Sequence, residues 1–114
     1  MGDRMDIDFA DLLMEVVSRK ASDLHVSAGA HPTIRVRGHL TPLENYPKLS
    51  GMDTREIIYS ILNGDQRQRL ETHWQLDFAY SIPGHARFRV NAYFQRGAIG
   101  AAFRLIPFGL SSID

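Results

Sequence analysis

The chain has 114 residues, of which 44% are hydrophobic, and this is enough to bury the core of one globular domain. It contains no cysteine, which excludes disulfide scaffolds, thiolate metal sites and cysteine nucleophiles. Thirteen basic and 13 acidic residues give a formal net charge of zero. Composition therefore predicts a globular domain without the excess of positive charge typical of nucleic-acid binding.

The neutral total conceals two oppositely charged parts. Residues 1–77 carry nine bases and 12 acids, whereas residues 78–114 carry four bases and one acid. No carboxylate occurs from Phe78 to Ile113, and all four bases of this part are arginines: Arg87, Arg89, Arg96 and Arg104. Arginine makes planar, bidentate contacts with carboxylates and phosphates. The C-terminal third is thus the candidate region for an anionic partner.

The first half of the chain predicts one helix followed by short strands. A helix capped by Asp6 or Asp8 runs to about Lys20, because apolar residues recur there at helical spacing. Alternating apolar residues predict strands at 24–26 and 34–36, separated by a break at 28–32. A Gly38-His39 turn leads to a strand end at Pro42.

The second half predicts two helices and three strands. A capping box formed by Asp53 and Glu56 begins one helix, and a second runs from Asp65 to about Trp74. Strands follow at 78–82, 87–95 and 99–106, joined by the turns Pro83-Gly84 and Arg96-Gly97. Hairpins join these strands, so we predict an α+β fold with an antiparallel sheet of about six strands and about three helices.

The last two predicted strands have one apolar and one polar face. Alternation places Arg87, Arg89 and Asn91 opposite the apolar side chains of their strand, and Arg104 shares its face with the small residues Ala98, Gly100 and Ala102. If the polar faces coincide, the arginines lie beside a floor of small residues that a ligand could approach closely. Solvated arginines on an ordinary amphipathic sheet remain the alternative.

Several kinds of site are absent from the sequence. The five histidines show no metal-ligand spacing. Only Lys20 and Lys48 occur and neither follows a glycine, so the phosphate loop of an ATPase cannot be written. The aromatic residues of the sheet fall mainly on the apolar face, which argues against a nucleic-acid stacking platform. Asp23 and His25 share one strand face, where we expect a structural hydrogen bond rather than catalysis.

The order of short motifs resembles the N-terminal domain of PilT-type ATPases, the retraction motors of type IV pili in the secretion-ATPase superfamily. The resemblance covers nearly the whole chain to Pro107, and its most specific motifs stand at 21–25 (ASDLH), 87–92 (RFRVNA) and 95–97 (QRG). It implies a PAS-like domain over 1–107, with 108–114 beginning a linker to a RecA-like ATPase domain that lies outside this sequence. In these motifs Asp23, His25 and Asn91 are expected to be structural.

The resemblance also implies a function for the arginines. Members of the family are cytoplasmic homohexamers at the inner membrane, where they act on a pilus platform protein. They bind ATP and Mg²⁺ between their two domains, and the N-terminal domain packs on the motor domain of the same and the neighbouring subunit. By position, Arg87, Arg89 and Arg104, and less directly Arg96, are expected to approach the ATP phosphates. The chain alone is expected to be no enzyme, whereas the parent protein is expected to be an ATPase.

Two alternatives do not involve nucleotide. One is a free-standing PAS-like sensor that binds a small ligand in its core, and the other is a module that only mediates oligomerisation. The sensor requires polar residues on the apolar faces, where Phe88, Val90 and Phe103 predict a filled core.

Overall fold

Three helices and six strands follow one another in residues 9–106, the part of the chain that the computed structural model describes. The helices are α1 (Phe9–Ser18), α2 (Gly51–Ser60) and α3 (Gly64–His73). The strands are β1 (Asp23–Val26), β2 (Thr33–Val36), β3 (His39–Pro42), β4 (Gln75–Ile82), β5 (Ala86–Gln95) and β6 (Ala98–Ile106). The predicted α+β fold, with six strands and three helices, is confirmed.

All six strands form one sheet in the order β3-β2-β1-β6-β5-β4, and every neighbouring pair is antiparallel. The predicted meander of β4, β5 and β6 is confirmed, with each strand boundary within three residues of its expected position. The sheet joins this meander to the N-terminal strands through β1 and β6, where Leu24 pairs with Phe103. Residues distant in sequence therefore become neighbours at the centre of the sheet.

The core lies between the helices and one face of the sheet, which we call the inner face. Alternation places Phe88 of β5 and Phe103 of β6 on this face, where both are fully buried. Their rings meet edge to face with centroids 6.3 Å apart, and Phe9 of α1 packs on Phe103 at 5.2 Å. Leu12, Leu13, Ile58 and Leu70 bring the three helices into the same buried cluster.

The beginning of α2 corrects the predicted capping, and α3 begins with a capping box of its own. At α2 the capping box joins Ser50 to Asp53, with Asp53 N donating to Ser50 Oγ at 3.0 Å and Ser50 N donating to Asp53 Oδ2 at 2.8 Å. The predicted pair, Asp53 with Glu56, is wrong because Asp53 occupies the third helical position rather than the cap. Asn63 caps α3 in the same way through Gln66. The predicted caps of α1, Asp6 and Asp8, lie outside the described residues.

Positive φ angles mark where two of the helical segments end. Lys20 (φ 58°) follows α1, which stops at Ser18, and Trp74 (φ 67°) directly follows α3. A left-handed residue ends a helix because it turns the backbone out of the helical path. Each described helix has ten residues, and none is long and apolar enough to span a bilayer.

Candidate anion-binding site

The face of the sheet opposite the described helices, which we call the outer face, carries the predicted arginines. Arg87 and Arg89 alternate with buried residues of β5, and Arg104 does the same in β6, so all three point outward and are exposed. The predicted grouping of these three arginines on one face is confirmed. The outward strand positions hold four arginines in all, because Arg35 of β2 joins them, against the two aspartates Asp23 and Asp77.

The register places two of the arginines side by side. Arg89 of β5 lies directly opposite Arg104 of β6. Arg87 lies opposite Ile106, two residues away from Arg89 along β5. Among the described residues, neither Arg87 nor Arg89 makes a side-chain hydrogen bond or an ion pair. Their guanidinium donors are thus free to bind an anion with several acceptor oxygens, such as a phosphate.

Arg104 has an acidic neighbour that its own part of the sequence lacks. Asp23 lies opposite Arg104 in the β1–β6 register, and its Oδ2 is 3.5 Å from Arg104 Nη2. Arg104 therefore has an acidic partner although no carboxylate occurs from Phe78 to Ile113. A carboxylate absent from the neighbouring sequence is supplied by an adjacent strand. The Asp23 side chain is 12% exposed and that of Arg104 is 73% exposed.

Asn91 and Asp77 form a polar pair beside Arg89, with Asn91 two residues after Arg89 on β5. Asn91 of β5 donates from Nδ2 to Oδ1 of Asp77 of β4 at 2.8 Å, and the two residues are register partners. The structural role expected for Asn91 is consistent with this contact. Together these side chains line an open cleft of about 330 Å³ whose polar lining residues are Asp23, Asp77, Arg89, Asn91 and Arg104.

The floor of small residues is only partly open. A Cβ atom on Gly100 would lie 2.9 Å from Cε1 of Tyr93, so the Tyr93 ring covers this glycine on the outer face. The Tyr93 ring thus occupies, in this structure, the space over Gly100 that the small residues suggested a ligand could approach. Ala102 remains in the cleft between Asn91 and His25 in the register.

His25 does not form the expected hydrogen bond with Asp23. Its Nε2 atom is buried and has no hydrogen-bond partner among the described residues, while Asp23 faces Arg104. The neighbouring outer-face positions, Thr33 and Ala102, flank His25 in the register, and the Thr33 hydroxyl donates to His31 O instead. Asp23 and His25 share a face as predicted, but they do not act as a pair.

Arg96 is separated from the other three arginines. It occupies the β5–β6 turn with a φ of 56°, at the opposite end of β5 from Arg87. Nine residues of extended strand span about 30 Å, so the four arginines cannot contact a single phosphate group. Arg96 instead lines a second cleft of about 390 Å³ with Arg55, Tyr59, Glu71, Trp74 and Phe94.

Sequence reasoning missed the aromatic residues of this second cleft. The guanidinium groups of Arg55 and Arg67 lie over the Tyr59 ring, at 5.1 and 5.4 Å from its centroid. Tyr59 also donates its hydroxyl to Oε2 of Glu71 at 2.7 Å. Burial of the hydroxyl, followed by this hydrogen bond and the charge of Glu71, raises the pKa of Tyr59, against the opposing charges of the two arginines. The i, i+4 spacing of Arg55 and Tyr59 was the only local signal.

No group of His, Asp and Glu side chains within residues 9–106 is placed to hold a metal ion. His31 is engaged with the backbone, since its Nδ1 lies 2.7 Å from Tyr46 O. The outer face instead carries the guanidinium groups of its arginines and the amide of Asn91. Both are donors that bind phosphate oxygens.

The chain is similar in sequence to known proteins. No protein-family model matches the chain. The chain is 44% identical over 101 residues to the type IV pilus retraction ATPase PilT of Pseudomonas aeruginosa, covering 89% of this chain and 29% of that protein. It is 33% identical to the type IV pilus ATPase PilU of the same organism over 108 residues, or 95% of this chain and 28% of PilU.

Solved structures show the same relationship. The chain superposes on a crystal structure of the pilus retraction motor PilT with bound ADP at a TM-score of 0.84 and 36% identity, covering 90% of this chain and 30% of that one. The ATPase DotB of Legionella pneumophila matches at a TM-score of 0.70 and 29% identity, over 87% of this chain and 28% of DotB. The chain therefore spans less than a third of these relatives, and it belongs to the PilT family, corresponding to the N-terminal domain of its members.

Proposed function

We propose that this chain is the N-terminal domain of a hexameric motor that retracts type IV pili, and that it supplies arginines to the ATP site of that motor. Arg89 and Arg104 contact the phosphates, and Arg87 extends the same positive face. The observation that carries the proposal is the register of Arg89 opposite Arg104 on an exposed sheet face.

The chemistry of phosphoryl transfer supports this assignment. Negative charge spreads over the phosphate oxygens in the transition state, and an arginine placed there neutralises it and detects whether the terminal phosphate is present. Two adjacent guanidinium groups offer a phosphate several N–H donors in a fixed arrangement. The ADP bound to the PilT crystal structure supports nucleotide as the ligand of the parent protein.

Membership of the family supports the remaining parts of the proposal. We propose that ATP and Mg²⁺ bind the parent protein between this domain, over 1–107, and a RecA-like motor domain that follows a linker beginning at 108–114. This domain contacts the motor domains of its own and the neighbouring subunit in a homohexamer. The motor works in the cytoplasm at the inner membrane, on the pilus platform protein. Arg96, remote from the cleft, contacts a subunit surface rather than the same phosphate.

A ligand sensor is the less favoured alternative. Such a sensor needs space on the inner face of the sheet, where Phe88 and Phe103 are fully buried and in contact. A module that only mediates oligomerisation does not account for the exposed arginines of the outer face.

The test is ATP hydrolysis by a full-length motor carrying this domain, with Arg89→Ala and Arg104→Ala. We expect each to lower turnover per hexamer at least about tenfold, since arginines at a transferring phosphate commonly contribute more than this. Arg69→Ala is the matched control, because Arg69 is an exposed arginine of α3, 3.7 Å from Asp65. Light scattering verifies that each variant remains a hexamer. Unchanged turnover in both outer-face variants overturns the phosphate role and leaves the assembly role.

A further inference from the structure

The ion pair between Asp23 and Arg104 is asymmetric. Asp23 lies at the sheet centre with a side chain that is 12% exposed, whereas the Arg104 side chain is 73% exposed. Their closest atoms are 3.5 Å apart, beyond the usual range of a charge-assisted hydrogen bond. The carboxylate is thus fixed by the fold, while most of the guanidinium donors remain directed to solvent.

Arg104 has a second charged neighbour on its other side. Arg89 lies directly opposite it on β5 and has no ion-pair partner among the described residues. Like charges directly opposite each other on a sheet repel. Asp23 therefore offsets the charge of Arg104 from one side, and an anion in the cleft would offset both arginines from the other.

Asp23 has a basic residue opposite it on each neighbouring strand. In the register Asp23 lies between Arg104 of β6 and Arg35 of β2. Arg35 donates from Nη1 to Gly38 O at 3.2 Å, which directs its guanidinium to the β2–β3 turn. Arg35 therefore makes no ion pair with Asp23 in this structure, and Arg104 is the charged side chain that contacts Asp23 among the described residues.

From these contacts we infer that Asp23 competes with the nucleotide phosphate for Arg104. Without nucleotide the carboxylate holds the guanidinium, and a phosphate placed between Arg89 and Arg104 replaces it. A phosphate offers more charge and more acceptor oxygens than the single Asp23 oxygen near Arg104. A weakly binding anion therefore does not displace Asp23 from Arg104, whereas a terminal phosphate does.

The inference rests on the proposed function, and the test separates the two. In a full-length motor carrying this domain, Asp23→Asn removes the competing charge while preserving side-chain shape. We expect the KM for ATP and the Kd for ADP to fall about two- to fivefold, the range of an exposed ion pair, with little change in kcat. Asp23→Glu, which retains the carboxylate, should leave the affinity for ATP and ADP close to that of the unsubstituted protein.

A double-mutant cycle assigns the effect to Arg104. In the background of Arg104→Ala, the substitution Asp23→Asn should no longer change the affinity, because no guanidinium remains to be released. Asp65→Asn removes an acid of α3 and should change nothing. If Asp23→Asn lowers thermal stability, Asp23→Ser measured below its melting transition serves as the second variant.

The outcomes are distinct. Unchanged or weaker nucleotide affinity in folded Asp23→Asn, with Arg104→Ala still impairing binding, overturns the competition and leaves the proposed function intact. Unchanged binding in Arg104→Ala overturns the competition, whereas unchanged turnover in both Arg89→Ala and Arg104→Ala overturns the proposed phosphate role and the competition with it. A gain in affinity that persists in the Arg104→Ala background shows a general charge effect and also overturns the competition for Arg104.

Discussion

Arg89 and Arg104 lie directly opposite each other on β5 and β6, the last two strands of the C-terminal meander, and both are exposed. A sheet that served stability alone would gain from opposite charges at these positions, since cross-strand pairs of like charge are unfavourable. The arrangement lowers stability slightly, and under the proposed function it supplies the donors that bind an anion. Stability and function therefore make opposite demands on these two residues.

We predict that Arg89→Gln stabilises the 114-residue chain while it impairs the motor. Removing one of the two facing charges should raise the free energy of unfolding by about 0.2–0.5 kcal/mol at low ionic strength, and added salt should remove the gain. Urea unfolding measures it. Arg19→Gln is the control of opposite sign, because Arg19 pairs with Glu15 at 2.7 Å and its loss should cost about 0.3–0.5 kcal/mol. Equal effects of the two substitutions would contradict the repulsion.

The stability of the domain at alkaline pH depends on Tyr59. The pKa of Tyr59 is raised by burial and by Glu71, so the folded state holds the phenolic proton more tightly than the unfolded chain, where the pKa is near 10. The resulting stability is fully present below pH 10 and is lost as pH rises through the folded pKa. Tyrosinate absorbance measured during an alkaline titration should show a late-titrating component from Tyr59.

Variants identify that tyrosine. Tyr59→Phe should remove the late component, and Glu71→Gln should move it to lower pH without abolishing it, because burial is the larger cause of the raised pKa. Tyr80→Phe is the matched control and should leave the late component in place. A titration unaltered by Tyr59→Phe would refute the assignment.

Whether a feature of the structure can be predicted from the sequence depends on how far apart in the chain the contacting residues lie. Alternation and turn residues were sufficient for β5, predicted at 87–95 and observed at Ala86–Gln95, because side-chain period and turn chemistry are local. The contact of Asp23 with Arg104 joins residues 81 positions apart in the sequence. It exists because β1 pairs with β6, and no local spacing specifies which strands meet at the centre of the sheet.

In the candidate site, too, some features could be predicted from local sequence and others could not. Strand alternation correctly placed Arg87, Arg89 and Arg104 on one face. The same rule could not show that the Tyr93 ring lies over Gly100, because the direction of a side chain within its face depends on packing with its neighbours. The second cleft was missed for a related reason, since Trp74 of the α3 end meets Phe94 of β5 only in the folded sheet.

Trp74 provides a test of backbone strain at the end of α3. Its φ of 67° is a left-handed conformation that glycine adopts without cost, while its ring packs edge to face on Phe94 at 6.2 Å. Both Trp74→Gly and Trp74→Ala lose the ring, but only alanine keeps the strain. We predict that the glycine variant is more stable than the alanine variant by about 1 kcal/mol in urea unfolding. Equal stability of the two variants would show that the position is unstrained.

Gly100 makes a close contact on the outer face. A Cβ atom there would lie 2.9 Å from Cε1 of Tyr93 and 3.1 Å from the carbonyl oxygen of Val26. The tyrosine ring can move, but the carbonyl belongs to the neighbouring strand and cannot. We predict that Gly100→Ala lowers the free energy of unfolding by about 1–3 kcal/mol. Adding Tyr93→Ser should recover only part of this loss, because the contact with Val26 persists.

Gly51→Ala is the matched control for that series. Gly51 is the first residue of α2, and the nearest atom to an added Cβ is Cβ of Ala98 at 3.8 Å, an ordinary van der Waals contact. This substitution should leave the stability unchanged or raise it, since alanine favours the helix. If Gly100→Ala is as well tolerated as Gly51→Ala, the Tyr93 ring does not cover the glycine tightly. A ligand could then approach the floor at Gly100 after all, and the anion site would extend beyond the cleft between Arg89 and Arg104.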